Sequence, residues 1–392
     1  MKGVSTKRIL IVAACLLGVG LLLVGAAFLS GVKPLSILKS GELSFPAGNL
    51  GLGPGSGYKN WDSAFQAGGE YSVSAQGLDG VSLRWIGGQV RVERGEGKEI
   101  HFAEYTETKT ERSGKALPTG YAVMEADALR WGVEDGVLYI QHCAPDQVET
   151  VDKTLVLTLP EALADRLDTL RVNTISADVA LTGITANSLK GGTTSGEVLL
   201  RDLTADTVTL DSVSGALRGD EGLTLGSVKL ETTSGDLRLT ASYRTLDCRS
   251  VSGETAIVSQ GSPEKTELRS TSGDIRLSGG GGALEMESVS GPLTVQAGSG
   301  IPSLRADSNS GAVDLELLDC PEQLEVQTIS GEVRATLPST SGFTLKYETV
   351  SGDLDSDFPT ALHKNVYVAG DGGADLRVET TSGSLRLRKG RG

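Results

Sequence analysis

Residues 228–258 read VKLETTSGDLRLTASYRTLDCRSVSGETAIV. Ser-Gly pairs at Ser234-Gly235 and Ser252-Gly253 each interrupt a run in which apolar and polar residues alternate. Alternation at period two marks a strand with one buried face. The parity, however, breaks at each pair. Val228 and Leu230 stand six and four places before Ser234, whereas Leu237 and Leu239 stand three and five places after it. A strand one residue out of step would turn its apolar side outward, so the chain must kink at Ser-Gly. Glycine is expected there because it tolerates the backbone angles of a sharp corner.

The same arrangement recurs along the chain. Ser176 (followed by Ala), Ser195, Ser214, Ser234, Ser252, Ser272, Ser290, Ser310, Ser330, Ser351 and Ser382 are separated by 19, 19, 20, 18, 20, 18, 20, 20, 21 and 31 residues. A hydroxyl residue stands two places before every one, from Thr174 to Thr380. Aliphatic columns run six places before (Leu189, Val208, Val228, Leu246, Leu284) and three after (Val198, Leu217, Leu237, Ile275, Leu293). A unit of about twenty residues is too short to bury its own apolar face and must stack on its neighbours. The reading is therefore all-β: a parallel β-solenoid of ~20-residue rungs with Ser-Gly corners. About eleven rungs at ~4.8 Å give a rod of roughly 50 Å. A β-sandwich of hairpins also predicts short alternating strands, but not identity by column at fixed register.

Composition agrees. Of 392 residues, 52 are Gly and only 17 are aromatic, and twelve of those aromatics precede residue 143. Stacked aliphatic columns leave little room for rings, and the change in aromatic content places a boundary near residue 160. Residues 71–160 still alternate, as in Leu155-Val156-Leu157-Thr158-Leu159, and are read as an irregular β-rich N-terminal cap, with Gly87-Gly88 an eroded corner and Trp85 and Trp131 covering the end of the stack. Residues 161–392 are the repeats, ending in a C-terminal cap marked by the 31-residue interval.

At the other extreme, Ile9 to Leu29 is a run of 21 uncharged residues behind Lys2, Lys7 and Arg8. Such a run matches the ~20 residues of a membrane-crossing helix. It exceeds the ~7–15 apolar residues of a cleaved signal peptide, the main alternative. Residues 1–40 carry +5, leaving −19 for the remainder. Basic flanks stay cytoplasmic, so the expectation is a cytoplasmic tail (1–8), one transmembrane signal anchor (9–29), a Gly/Pro/Ser-rich linker (30–70) and the bulk of the chain extracellular in the cell envelope. The acidic balance argues against nucleic-acid binding, which needs clustered Lys and Arg.

Little in the sequence suggests chemistry. Glu197, Asp236, Glu254, Asp274, Glu332 and Asp353 share the column two places after the corner Ser, with Arg238, Arg276 and Arg334 two places further on. Carboxylates so stacked could bind calcium or cleave a polysaccharide by acid/base catalysis. An active site, however, would single out one or two rungs, and the repetition favours a solvated ladder relieved by Arg. Trp85 and Trp131 invite a sugar-platform reading, to which a covering role is preferred. His101, His142 and His363 lie in unrelated contexts. The adjacent His142 and Cys143 would face opposite ways on a strand. Cys248 falls in an apolar column and is expected as a buried free thiol; Cys143 and Cys320 offer no disulfide framework. Asp371-Gly372-Gly373-Ala374-Asp375 lacks the ligand order of a calcium loop and is read as a tight turn. No nucleophile elbow, phosphate loop or zinc spacing occurs, so no catalytic, cofactor or metal residue is assigned.

Segments such as Glu348-Thr349-Val350-Ser351-Gly352-Asp353-Leu354 and Asn173-Thr174-Ile175-Ser176-Ala177-Asp178-Val179, with the closing Gly370-Asp371-Gly372-Gly373, resemble the adhesin-like family of bacterial β-strand-repeat proteins, catalogued as a domain of unknown function. The resemblance covers residues 71–390. It implies a membrane-anchored or surface β-solenoid, with some relatives linked to envelope-stress responses, and brings no catalytic or binding residues. The function expected is that of a non-enzymatic, adhesin-like or envelope-associated protein meeting a cell-wall polymer or a surface or membrane protein. The alternatives are a polysaccharide-active enzyme using the acidic stripe and a component of an envelope-stress sensor.

Overall fold

The computed structural model describes residues 58–61, 69–106, 123, 125, 127–145, 152–363 and 366–390. The expected tail, the membrane segment Ile9–Leu29 and nearly all of the linker lie outside these residues. No helix among the described residues is long and apolar enough to cross a membrane. Asn60–Gly392 forms one compact unit, which is the solenoid.

Its strands follow the alternation. Leu167–Thr174, Thr185–Thr193, Thr204–Ser212 and Thr224–Thr232 precede corners, and Asp178–Thr182, Val198–Arg201 and Leu217–Gly219 follow them. Along the regular repeats, strands before corners pair with other such strands, in parallel and in register: Leu189 lies beside Val208, Val208 beside Val228, and Val228 beside Leu246. Strands after corners form a second parallel sheet, with Val198 beside Leu217, Leu217 beside Leu237 and Ile275 beside Leu293. Direct pairing at the repeat distance is the signature of a solenoid, and a hairpin sandwich would have paired antiparallel. The inward side chains of both sheets merge into one continuous apolar core. Burying a Leu or Val is worth about 1.5–3 kcal/mol, and every regular rung contributes several.

The corners hold together by two devices. At every corner but the outermost, that of Thr349, the hydroxyl two places before the corner Ser is buried, and at most corners it bonds across the kink: the Gly235 N–H donates to Thr232 Oγ1 at 2.9 Å and the Gly273 N–H to Ser270 Oγ at 2.9 Å, while Ser212 Oγ donates to the Gly215 carbonyl at 2.6 Å. The corner Ser reaches to the rung beneath, as Ser214 Oγ does to the Thr194 carbonyl at 3.1 Å and Ser272 Oγ to Val251 at 3.1 Å.

Glycine is required at the corner for a reason other than the one expected. None of the Ser-Gly corner glycines has a positive φ. Their backbones stack so closely that a Cβ on Gly215 would lie 1.9 Å from the Gly196 carbonyl oxygen, and one on Gly253 would lie 2.0 Å from that of Gly235. It is the approach of the next rung that excludes a side chain.

Both ends of the stack depart from chain order. The eroded corner at Gly87-Gly88 is a genuine rung. Gly80–Trp85 pairs with Leu167–Thr174 and Gly88–Gly95 with Asp178–Thr182, in parallel. Outside it stacks a rung later in sequence, Val137–Gln141 and Lys153–Pro160. Antiparallel strands Glu70–Ser74, Glu99–Thr106 and Arg130–Glu134 complete this end. Two rungs thus come from the stretch read as cap. At the far end, the rung of Ser382 (Ala374–Thr380 and Leu385–Gly390) does not come last. It is inserted between the rung of Ser330 (Gln323–Thr328, Val333–Pro338) and that of Ser351 (Phe343–Glu348, Leu354–Ser356). The hairpin Ala361–His363 and Val366–Ala369 covers the outer edge. Its exit is a tight turn at 370–373, slightly earlier than the expected 371–375 because Ala374 and Asp375 already belong to a strand: Gly370 and Gly372 have φ of +57° and +71°, and the Gly373 N–H donates to Asp371 Oδ1 at 3.2 Å.

Candidate interaction surface

The outward side chains of the two sheets, brought side by side by the register, are the solenoid's main chemical resource. On the sheet after the corners, the acidic column is interlaced with arginine. Arg238 reaches both Asp236 and Glu254 at 3.1 Å. Arg276 pairs with Asp274 at 2.8 Å and also with Glu254. Arg218 meets Glu197 at 3.0 Å, and Arg386 meets Glu332 at 3.0 Å. The column is broken where Ala216, Pro292, Ala312 and Ser384 take its place. Five of the six sequence-derived carboxylates are therefore joined to arginines, and Asp353 stands on the outermost rung.

A second charged face, not singled out in the sequence, covers the sheet before the corners. Arg269 lies at its centre, with Glu267 at 2.7 Å, Glu287 at 3.3 Å and Asp247 at 3.8 Å, and Lys265 and Arg249 extend the network. The hydrogen bond from Lys265 draws the Glu267 carboxyl below its usual range. Its signal was present as alternating charges between the aliphatic columns, but each strand read alone looked like ordinary solvated surface. Such exposed pairs contribute only ~0–1 kcal/mol each; their importance is in the pattern of charge they present.

Asp211 departs from this pattern. It is only 8% exposed, with Gly192 on one side and Glu231 on the other. Burial, aided by the Glu231 charge, pushes its carboxyl up to about 6.

Between the two sheets lies a corner ridge formed by the residue before each corner Ser. In stack order it alternates: Ile175, Val213, Val251, Val289, Ile329 and Val350 occupy every second rung, with Thr or Asn between. The alternation holds only because Thr381 is inserted between Ile329 and Val350. Exposure rises toward the C-terminal end, where Ile329 is 50% and Val350 82% exposed.

The remaining polar residues of interest are structural. Lys153 and Glu104, fully buried, pair at 2.8 Å. Lys153 Nζ also donates to the carbonyls of Asp127 and His142, both at 2.6 Å, and Glu104 accepts the Leu129 N–H at 2.9 Å. Burial pushes Glu104 up and Lys153 down, and their mutual attraction works against both shifts. A buried pair completed in this way fixes the register of a junction, here between antiparallel strands and the outer rung. Trp85 is 1% exposed, occupies the hydroxyl column beside Thr174 and donates its indole N–H to the Lys153 carbonyl at 2.9 Å. It lies between rungs, so neither covering the end nor a sugar platform describes it. Trp131 does lie in the edge strand, edge-on to Phe102.

The histidines do not meet. His101 is exposed on Glu99–Thr106, His363 lies in Ala361–His363, and His142 packs edge-on against Trp85. His142 and Cys143 are both buried just beyond the strand Val137–Gln141, so the opposite-face argument does not apply to them. No disulfide joins Cys143, Cys248 or Cys320; Cys248 is buried in its column, and burial pushes its thiol far up. Among the described residues no group of three or more His, Cys, Asp or Glu is arranged to hold a metal.

The repeat itself identifies the family. The chain matches the Toastrack DUF4097 family over residues 137–299 and again over 258–388, together well over half its length. It belongs to that family. The first matched span opens on Val137, the first strand of the outer N-terminal rung, so the Toastrack match takes in all the regular corners. No curated protein matches the chain. Among solved structures, that of a "putative cell adhesion protein" from Clostridium sporogenes is similar at 10% identity, with 82% of this chain and 99% of that chain covered and a TM-score of 0.19.

Proposed function

We propose that this Toastrack protein is a non-enzymatic surface protein, anchored by Ile9–Leu29 with the chain beyond it outside the cell, whose solenoid presents its charged sheet faces to a cell-wall polymer or a surface protein. The observation that carries this reading is the pairing of the acidic column. An enzyme using Asp236 and Asp274 would need carboxylates free to move a proton or hold calcium, and both are held by Arg238 and Arg276 at 2.8–3.1 Å. Charge is spread along both faces instead of converging on one rung, which suits an extended polyelectrolyte or protein partner better than a small substrate.

The test is binding of purified residues 60–392 to cell-wall fractions, with and without calcium and across a salt range. Saturable binding that weakens as salt rises is expected, with Asp236→Asn/Asp274→Asn leaving any glycan in the assay intact, as the wild type does. Cleavage of a glycan by the wild type, abolished in that variant, would overturn the reading.

A further inference from the structure

The inserted C-terminal rung, Ala374–Thr380 with Leu385–Gly390, occupies a slot whose two walls match each other. The walls are the rungs of Ser330 and Ser351, whose corners are 21 residues apart, close to the 18–20 residues at which Ser214 to Ser330 stack directly. Were the slot vacant, Leu345 would meet Leu324, Leu354 would meet Val333, and the Gly352 corner would close on the Gly331 carbonyl just as it now closes on that of Gly383, 1.9 Å from a would-be Cβ. The walls are therefore competent with or without the rung between them.

The outer wall is held lightly. Leu354–Ser356 contributes three paired residues, Tyr347 and Leu354 are half-buried, and Val350 is 82% exposed. Segments with few buried contacts open most readily. The inserted rung is also on a long lead. Only four residues (339–342) join the Ser330 rung to the outer wall, but seventeen (357–373) join the outer wall to the inserted rung. They include the hairpin that pairs with the outer wall through 343–345; with that hairpin released the stretch reaches about 55 Å at ~3.3 Å per residue.

We propose that the C-terminal rung is exchangeable between copies: two chains interlock by each inserting residues 374–390 into the other's slot. The partner is a second copy of this chain, because only the same columns satisfy the slot. Leu376 must lie between Leu324 and Leu345, Leu385 between Val333 and Leu354, and Thr381 must restore the alternation of the corner ridge. Every contact in the exchanged pair already exists in the single chain, which is the condition under which swapping costs least. The monomer dominates when dilute, because its own rung is present at a high effective concentration. Crowding of copies favours exchange. The proposal is independent of what the charged faces bind.

The test uses the full chain, unlabelled and ¹⁵N-labelled, mixed at high concentration, taken through mild denaturant and back, and examined by native mass spectrometry. A parallel sample carries Arg334→Cys/Arg386→Cys, outward neighbours in register across the inner wall of the slot, oxidised to staple the rung in place. Dimers of mixed isotopic composition are expected from the wild type, absent from the oxidised variant and restored when it is reduced. Absence of mixed dimers from the wild type, or an equal yield from the oxidised variant, would overturn the proposal, the second result placing the contact elsewhere.

Discussion

At the scale of single residues the corner glycine carries the fold. The Ser-Gly signal was plain in the sequence, but its cause was not, since a glycine chosen for φ and one chosen for lack of a Cβ look alike until the neighbouring backbone is placed. The two causes differ in what they predict. Gly253→Ala puts a methyl 2.0 Å from the Gly235 carbonyl, so its rungs must part, and a loss of about 2–3 kcal/mol or more is expected in chemical denaturation, at the upper range for overpacking. Ala177→Gly, at the one corner in the regular series that keeps a Cβ, should cost no more than about 1 kcal/mol. Equal effects at the two corners would contradict the close-approach account. The acidic residue most out of place is Asp211. A carboxyl whose pKa is raised by folding stabilises the protein below its unfolded value of ~3.9 and loses that contribution as pH rises through about 6. Asp211→Asn should therefore gain stability relative to wild type between about pH 4 and pH 6, by roughly 1–2 kcal/mol, and hold that gain at higher pH. A difference that stays flat with pH would show that Asp211 is solvated in the folded state.

At the scale of elements the regular rungs were legible almost residue by residue, because a column of identical side chains at fixed spacing leaves one register open. The ends were not. The 21-residue interval from Ser330 to Ser351 reads as one more rung in succession, and only the 31-residue interval and the alternation of the corner ridge hinted that Thr381 belongs between Ile329 and Val350. The Lys153–Glu104 pair was equally hidden, since it joins residues 49 apart across an antiparallel junction with no local pattern. Insertion has a measurable consequence. A rung with neighbours on both sides exchanges its amide hydrogens more slowly than one at an edge. Amides of 376–380 and 385–388 should therefore outlast those of 346–348 and 354–356, which have a strand on one side only, in hydrogen exchange, although they lie nearer the chain terminus. Faster exchange toward the terminus, in simple sequence order, would mean that the last rung is the outermost.

At the scale of the whole solenoid, the described residues form thirteen rungs, which at ~4.8 Å make a stack of about 60 Å, two more than the regular corners indicate, because residues 80–95 and 137–160 join it. The uniformity that makes the stack also spreads its chemistry. Arginines and carboxylates recur by rung on both sheet faces, the pattern on which the proposed surface role rests. The defining arrangement is a solenoid whose order in space departs from its order in sequence. Two disulfide pairs in the isolated unit 60–392 decide it most directly. Cys at 334 and 386 should close readily on oxidation, as in-register neighbours one rung apart, within the ~4.4–6.8 Å that a disulfide spans between Cα atoms. The Arg334→Cys/Asp355→Cys pair, two rungs apart with Arg386 between them, should stay reduced. Closure of the 334–355 pair, with 334–386 remaining open, would contradict the account.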